Sequence, residues 1–229
     1  MKMIDKHNLF YEMQESLSQA DCPVCLLTGE ALDSFVEGIL YDKISDHGFR
    51  DALVKSRGFC SKHAWRLQAE GNPLAHTLIY VHFLEELLLA GDCLPQIGAE
   101  PGASTAPRDM KAVLKKLRAE AACPLCIYQE ELEERYIRSL LNFLQDPVFS
   151  AKYAVSSGVC RPHFLRIQKT FCPRDIKRLI IKVFFNTAQA LFLELEEIKR
   201  KADYRFAREA TGTERDAWVR VIGFWNGTL

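Results

Sequence analysis

Apolar residues recur at three- and four-residue steps along most of the chain. Leu32, Phe35, Val36, Ile39 and Leu40 form one such stripe, and Leu132, Tyr136, Ile137, Leu140, Leu141 and Leu144 form another. That spacing gathers apolar side chains on one face of an α-helix. The clearest predicted helix runs from Pro173 to about Ala202, with Ile176, Leu179, Ile180, Val183, Phe184, Thr187, Leu191, Leu195 and Ile198 on one side. Pro73 and Pro173 stand where a first helical residue is expected, and Asn72 is a good cap for the helix after it. Alternating patterns of the kind that make strands are scarce, so the fold class predicted is all-α.

The pattern occurs twice. Leu26, Phe35, Val36, Ile39 and Leu40 correspond to Ile127, Tyr136, Ile137, Leu140 and Leu141. Within this stretch one pair breaks the apolar match, Leu32 against Glu133. Asp46, Phe49, Ser56, Gly58, Arg66, Gln68 and Pro73 recur as Asp146, Phe149, Ser156, Gly158, Arg166, Gln168 and Pro173. Each copy reads as a leading helix, a turn, a long helix, a shorter helix, a second turn, another helix and a last long one. The expected organisation is a first repeat over 1–90, a linker over 91–108 rich in Gly, Pro, Ala and Ser, and a second repeat over 109–202. Residues 203–229 lie outside the repeat. They read as a loop and a short amphipathic helix carrying Trp218, Ile222 and Trp225, packed on the two copies. The repeats are expected to be related by a pseudo-two-fold axis.

The turns carry the chemistry. Cys22-Pro23-Val24-Cys25 is followed by Gly58-Phe59-Cys60-Ser61-Lys62-His63, and Cys123-Pro124-Leu125-Cys126 by Gly158-Val159-Cys160-Arg161-Pro162-His163. Three cysteines and one histidine per copy make a complete tetrahedral ligand set for zinc. A Cys-x-x-Cys turn converges two sulfurs on one ion, and Cys-x-x-His at the start of a helix is a second chelating turn, where the helix dipole favours thiolate. Equal spacing in both copies predicts local closure, because the shorter loop costs slightly less entropy. Cys22, Cys25, Cys60 and His63 would then hold one ion, and Cys123, Cys126, Cys160 and His163 the other. Each repeat would be stapled by its own Cys3His site. Zinc, two ions per chain, ranks first. An iron–sulfur cluster held by three cysteines and a fourth ligand ranks second. A dithiol of the glutaredoxin kind ranks third, since the neighbouring βαβ pattern it needs is absent.

A zinc ion with three thiolates carries negative charge. Arg57, Lys62, Arg66, Arg161 and Arg166 are close enough in sequence to offset it. Cys93 and Cys172 are not repeated and read as ordinary thiols. Composition narrows the function classes. The chain has 229 residues, is 48% hydrophobic and carries no formal net charge, which argues against a general electrostatic grip on nucleic acid or anionic membrane. The basic stretch from Arg166 to Lys182 reads as the solvated face of a helix. No apolar run approaches the roughly 20 residues needed to span a bilayer. No signal peptide is visible, so paired cysteines in a cytoplasmic setting point to metal or redox chemistry. No phosphate-binding glycine loop, nucleophile elbow or His-Glu-x-x-His is present.

The duplicated CP-x-C and S-x-G-x-C-x-x-H pattern resembles an uncharacterised bacterial family of unknown function. Its members end in a stretch like Lys201-Ala202-Asp203-Tyr204-Arg205-Phe206 followed by Ala217-Trp218-Val219-Arg220. The resemblance implies that this tail belongs to the domain. The function expected is that of a metal-stabilised cytoplasmic binding or adaptor protein with a protein partner and no evident catalytic residues. The alternatives are an iron–sulfur electron carrier or redox sensor, and a CPxC thiol oxidoreductase or metal-handling protein.

Overall fold

The computed structural model describes residues 8–43, 46–90, 110–206 and 208–228. Among these residues the chain is helical throughout and contains no strand. The first five helices are α1 (Asn8–Ser16), α2 (Pro23–Tyr41), α3 (His47–Ser56), α4 (Ser61–Ala69) and α5 (Pro73–Ala90). The next five are α6 (Met110–Leu117), α7 (Pro124–Phe143), α8 (Pro147–Ala154), α9 (Arg161–Lys169) and α10 (Arg174–Lys201). They follow the order that the repeated apolar pattern predicts. A 3-10 turn at Thr213–Asp216 and a last helix, α11 (Ala217–Asn226), complete the described chain.

Local signals account for the boundaries. Asp46 and Asp146 cap α3 and α8 through the backbone N–H groups of Phe49 and Phe149, at 2.7 and 3.0 Å. Asn72 accepts from the N–H of Ala75 at 3.1 Å. Pro73 is the first residue of α5, whereas Pro173 stands one position before α10. Gly158 has φ of +70°, and a Cβ there would meet Val183 Cγ1 at 2.8 Å. Glycine is required at that point, two residues before Cys160.

The chain forms two compact units, one of Met1–Ala31 with Leu132–Leu229 and one of Leu32–Glu131. The division falls inside α2 and inside α7, not between 1–90 and 109–202 as the repeat suggests. The expected linker, 91–108, lies outside the described residues, as does Cys93. In the first unit Phe10 packs edge-on against Phe143 at 5.1 Å, with Phe149 at 5.4 Å from Phe10. Met13, Leu132, Leu140 and Tyr153 of the same unit are buried as well. In the second unit Leu32, Val36, Ile39, Leu53, Leu67 and Ile79 are buried. Phe35 stacks on Tyr128 at 4.0 Å between ring centres in the same unit.

The tail differs from expectation in the face it uses. Trp218, Ile222 and Trp225 are exposed. Ala217 is fully buried instead, and Phe224 stacks on Phe184, which stacks on Phe164. Arg220 pairs with Glu194 on α10 at 2.7 Å and with Asp216 at 2.8 Å. These contacts seat α11 against α9 and α10 within the first unit.

Candidate metal centres

Four helix starts carry the eight ligands. Cys22 and Cys123 immediately precede α2 and α7, and their carbonyls accept from Leu26 and Ile127 at 3.0 and 3.1 Å. Cys25 and Cys126 lie in the first turn of the same helices. Proline after the first cysteine takes the opening helical position, where no N–H is needed. Cys60 and Cys160 are the caps of α4 and α9 and share one backbone conformation, with φ of −65° in both. His63 and His163 follow within the first turn of those helices.

The structure brings all eight ligands into two groups, but not the groups that local closure predicts. Cys22, Cys25, Cys160 and His163 converge in the first unit, and Cys60, His63, Cys123 and Cys126 in the second. Each group takes its CPxC turn from one copy and its Cys-x-x-His turn from the other. The copies are therefore not stapled separately. In each group the donor atoms lie within 4.8 Å of one another.

The spacing fits a single ion. Cys25 Sγ and Cys160 Sγ are 3.7 Å apart, and Cys60 Sγ and Cys126 Sγ 3.6 Å. His163 Nδ1 stands 3.4, 3.5 and 3.2 Å from the sulfurs of Cys22, Cys25 and Cys160. His63 Nδ1 stands 3.3, 3.7 and 3.4 Å from those of Cys60, Cys123 and Cys126. A tetrahedron with sulfur at about 2.3 Å from its centre has sulfur–sulfur edges of about 3.8 Å and sulfur–nitrogen edges of about 3.5 Å. Both groups match that figure in every pair given.

The groups differ around the imidazole. His163 Nε2 faces Glu133 Oε2 at 3.5 Å, and Glu133 is itself held by Arg166. His63 Nε2 instead meets the amide oxygen of Gln129 at 3.2 Å, which also accepts from Lys62 at 3.3 Å. Glu133 is buried, and it is the residue that breaks the apolar match between the copies. That break is the sequence signal for its role, which the repeat alignment shows and motif reading misses. Gln129 has no comparable signal. Of the basic residues near the turns, Arg166 and Lys62 reach a histidine partner. Arg57 pairs with Glu86, Arg66 with Asp33, and Arg161 with the Trp225 carbonyl.

Charge is unevenly placed among these side chains. Hydrogen bonds from Cys160 and Cys22 hold Cys25 far below the usual thiol range, while burial pushes Cys22 up. Burial opposes a charge on His163, yet hydrogen bonds with Cys160, Cys25 and Glu133 raise it to about 11. Burial lowers His63, and burial followed by the neighbouring Cys60 pushes Cys126 up to about 12. An ion entering either group must displace protons from thiols or imidazole, so its affinity falls as pH falls.

A carboxylate on the far nitrogen fixes the imidazole tautomer and raises its basicity. Replacing Glu133 with glutamine should therefore weaken by about tenfold or more the binding of an ion offered to Cys22, Cys25, Cys160 and His163. The ion of the other group should be unaffected. Competition with a chromophoric chelator measures both, and equal affinities in the variant and the natural protein would remove Glu133 from this role.

An all-helical chain with two Cys3His groups positioned to hold metal ions is the class that fold and site define. The chain belongs to the family described as "Family of unknown function (DUF6062)", whose model matches residues 12–229. It is 28% identical over 218 residues to "Uncharacterized 23.9 kDa protein in xynA 3'region" of Caldicellulosiruptor sp. (strain Rt8B.4), covering 94% of this chain and 100% of that protein. No solved structure matches.

Proposed function

We propose that each group holds one zinc ion and that the protein is a metal-stabilised binding protein. The observation that carries this reading is the tetrahedral spacing of four protein donors in each group. A closed set of four protein ligands leaves no open position for substrate or water, which is the pattern of structural zinc. A four-iron cluster interposes iron and sulfide between its cysteines and needs a wider cage than sulfurs 3.6–3.7 Å apart provide. Cys22 and Cys25 are buried, and in the other CPxC turn Cys123 is buried beside a half-buried Cys126, which disfavours a CPxC dithiol whose two sulfurs must both serve an external substrate.

A protein partner is favoured over nucleic acid. Helix α5 exposes Leu74, Leu78, Val81, Leu84 and Leu89, an apolar surface of the kind that mediates contact between proteins. The basic residues of the second copy are largely engaged. Arg166 is held by Glu133, Lys177 by the Gln168 carbonyl, Arg178 by Asp175 and Arg200 by Glu197 and Glu209. Among the described residues no helix is long and apolar enough to cross a membrane. Unpaired thiols in both groups suit a reducing cytoplasm.

Elemental analysis of protein purified without chelators tests the zinc reading. The expected result is two zinc ions per chain, one per group, with no visible absorption. Stoichiometric iron together with acid-labile sulfide would replace this reading by the cluster, iron without sulfide would replace zinc by a single iron ion, and no metal at all would end it.

A further inference from the structure

The two groups are alike in composition but not in cover. Cys25 and Cys160 are each 2% exposed. The turn that ends α11 lies over them. A Cβ on Gly227 would sit 3.5 Å from Cys25 Sγ and 3.8 Å from Cys160 Sγ, and φ of +83° favours glycine there. This tail is outside the duplication, and among the described residues the first copy carries no counterpart of it. In the other group the residues matching Cys160 and Cys25 are Cys60 and Cys126. Those two are half-buried, while Cys123 and His63 are buried. The thiols left open in one group are thus the ones that the tail shields in the other. The imidazole support differs in the same direction, with a carboxylate behind His163 and an amide behind His63.

We propose that Cys60 and Cys126 are an oxidation site that releases the ion of its group in response to hydroperoxides, while the shielded group keeps its ion. The proposal rests on the metal reading above. One of the two sulfurs attacks a peroxide oxygen, and the O–O bond breaks. That sulfur becomes a sulfenic acid, and the other oxygen leaves as water or alcohol after taking a proton. The second sulfur attacks the sulfenic sulfur, the S–S bond forms, and hydroxide leaves to be protonated to water. Two electrons pass from sulfur to peroxide, and zinc stays divalent. The sulfurs begin 3.6 Å apart and close to about 2.05 Å in a disulfide. Cys123 and His63 then remain as two donors, too few to retain a structural ion. Thioredoxin-class reduction of the disulfide restores the site.

The experiment uses the full chain, with metal content measured first. Hydrogen peroxide is added in small excess, zinc release is followed with a chromophoric indicator, and disulfides are mapped by peptide mass spectrometry. The expected result is loss of one ion at least tenfold faster than the other, together with a Cys60–Cys126 disulfide. Ending the chain after Asn226 should speed loss of the second ion and leave the first unchanged. Two ions at the start that are then lost at one rate, or a disulfide that omits Cys60 or Cys126, would overturn the oxidation site and leave the zinc reading standing. No ions at the start would overturn both.

Discussion

Removing both ions should lower the melting temperature by on the order of 20 °C while much of the helix signal survives. Each ligand group brings together helix starts far apart in sequence, α2 with α9 and α7 with α4, so an ion held there would join them. Without it, three thiols and an imidazole remain packed together, and in the group of Cys22 and His163 burial opposes charge on both. Structural zinc contributes on the order of 10 kcal/mol in small domains that have little else to hold them. Here the cluster of Phe10, Phe143 and Phe149 and the buried stripe of Leu32, Val36 and Ile39 hold helices together independently of metal. Only part of that energy should therefore appear as lost stability, at roughly 2–4 °C per kcal/mol for a chain of this size. Calorimetry and circular dichroism on protein stripped with chelator under reducing conditions measure the effect. A melting temperature within a few degrees of the metal-loaded protein would mean that the groups do not support the fold.

The sequence made the helices and the ligands legible because both are local. A stripe at three- and four-residue steps fixes α2, α7 and α10 without knowledge of what packs on them. Proline and aspartate mark where helices begin. The eight ligands stand out because the same turns recur in register. What joins to what is not local. Both copies offer the same two turns, so either pairing gives two Cys3His groups of one composition. Loop entropy favours the shorter closure only through a slowly varying logarithm, and packing overrides it. Helix α2 places Leu32, Val36 and Ile39 in the second unit, while its ligands lie in the opening turn. The opening turn of α2 belongs to the unit that contains α9, and the opening turn of α7 to the unit that contains α4. Cys22 and Cys25 accordingly meet Cys160 and His163 at the start of α9, and Cys123 and Cys126 meet Cys60 and His63 at the start of α4.

The tail shows a second limit of pattern reading. Trp218, Ile222 and Trp225 make the larger apolar stripe, yet Ala217 and Phe224 face inward. A small residue allows close approach to the neighbouring helix, and Phe224 extends a ring stack that begins at Phe164. Neither preference is visible in hydropathy alone. Gly227 carries no motif either, and its position over Cys25 and Cys160 follows from where α11 ends.

The crossed arrangement of ligands is the central claim, and two double variants separate it from local closure. Cys25→Ser with Cys160→Ser strikes one group twice if the ligands are crossed, so the chain should keep one zinc ion. Cys25→Ser with Cys60→Ser then strikes both groups, and the chain should keep none bound tightly. Local closure reverses the two results, because Cys25 and Cys60 would share an ion and Cys25 and Cys160 would not. Serine preserves side-chain size but is a poor ligand for zinc, so each lost thiolate should cost its group the ion. Zinc content per chain, measured on both variants purified in parallel, decides between the arrangements. One ion in the first variant and none in the second is the result predicted here, and none in the first with one in the second would contradict it.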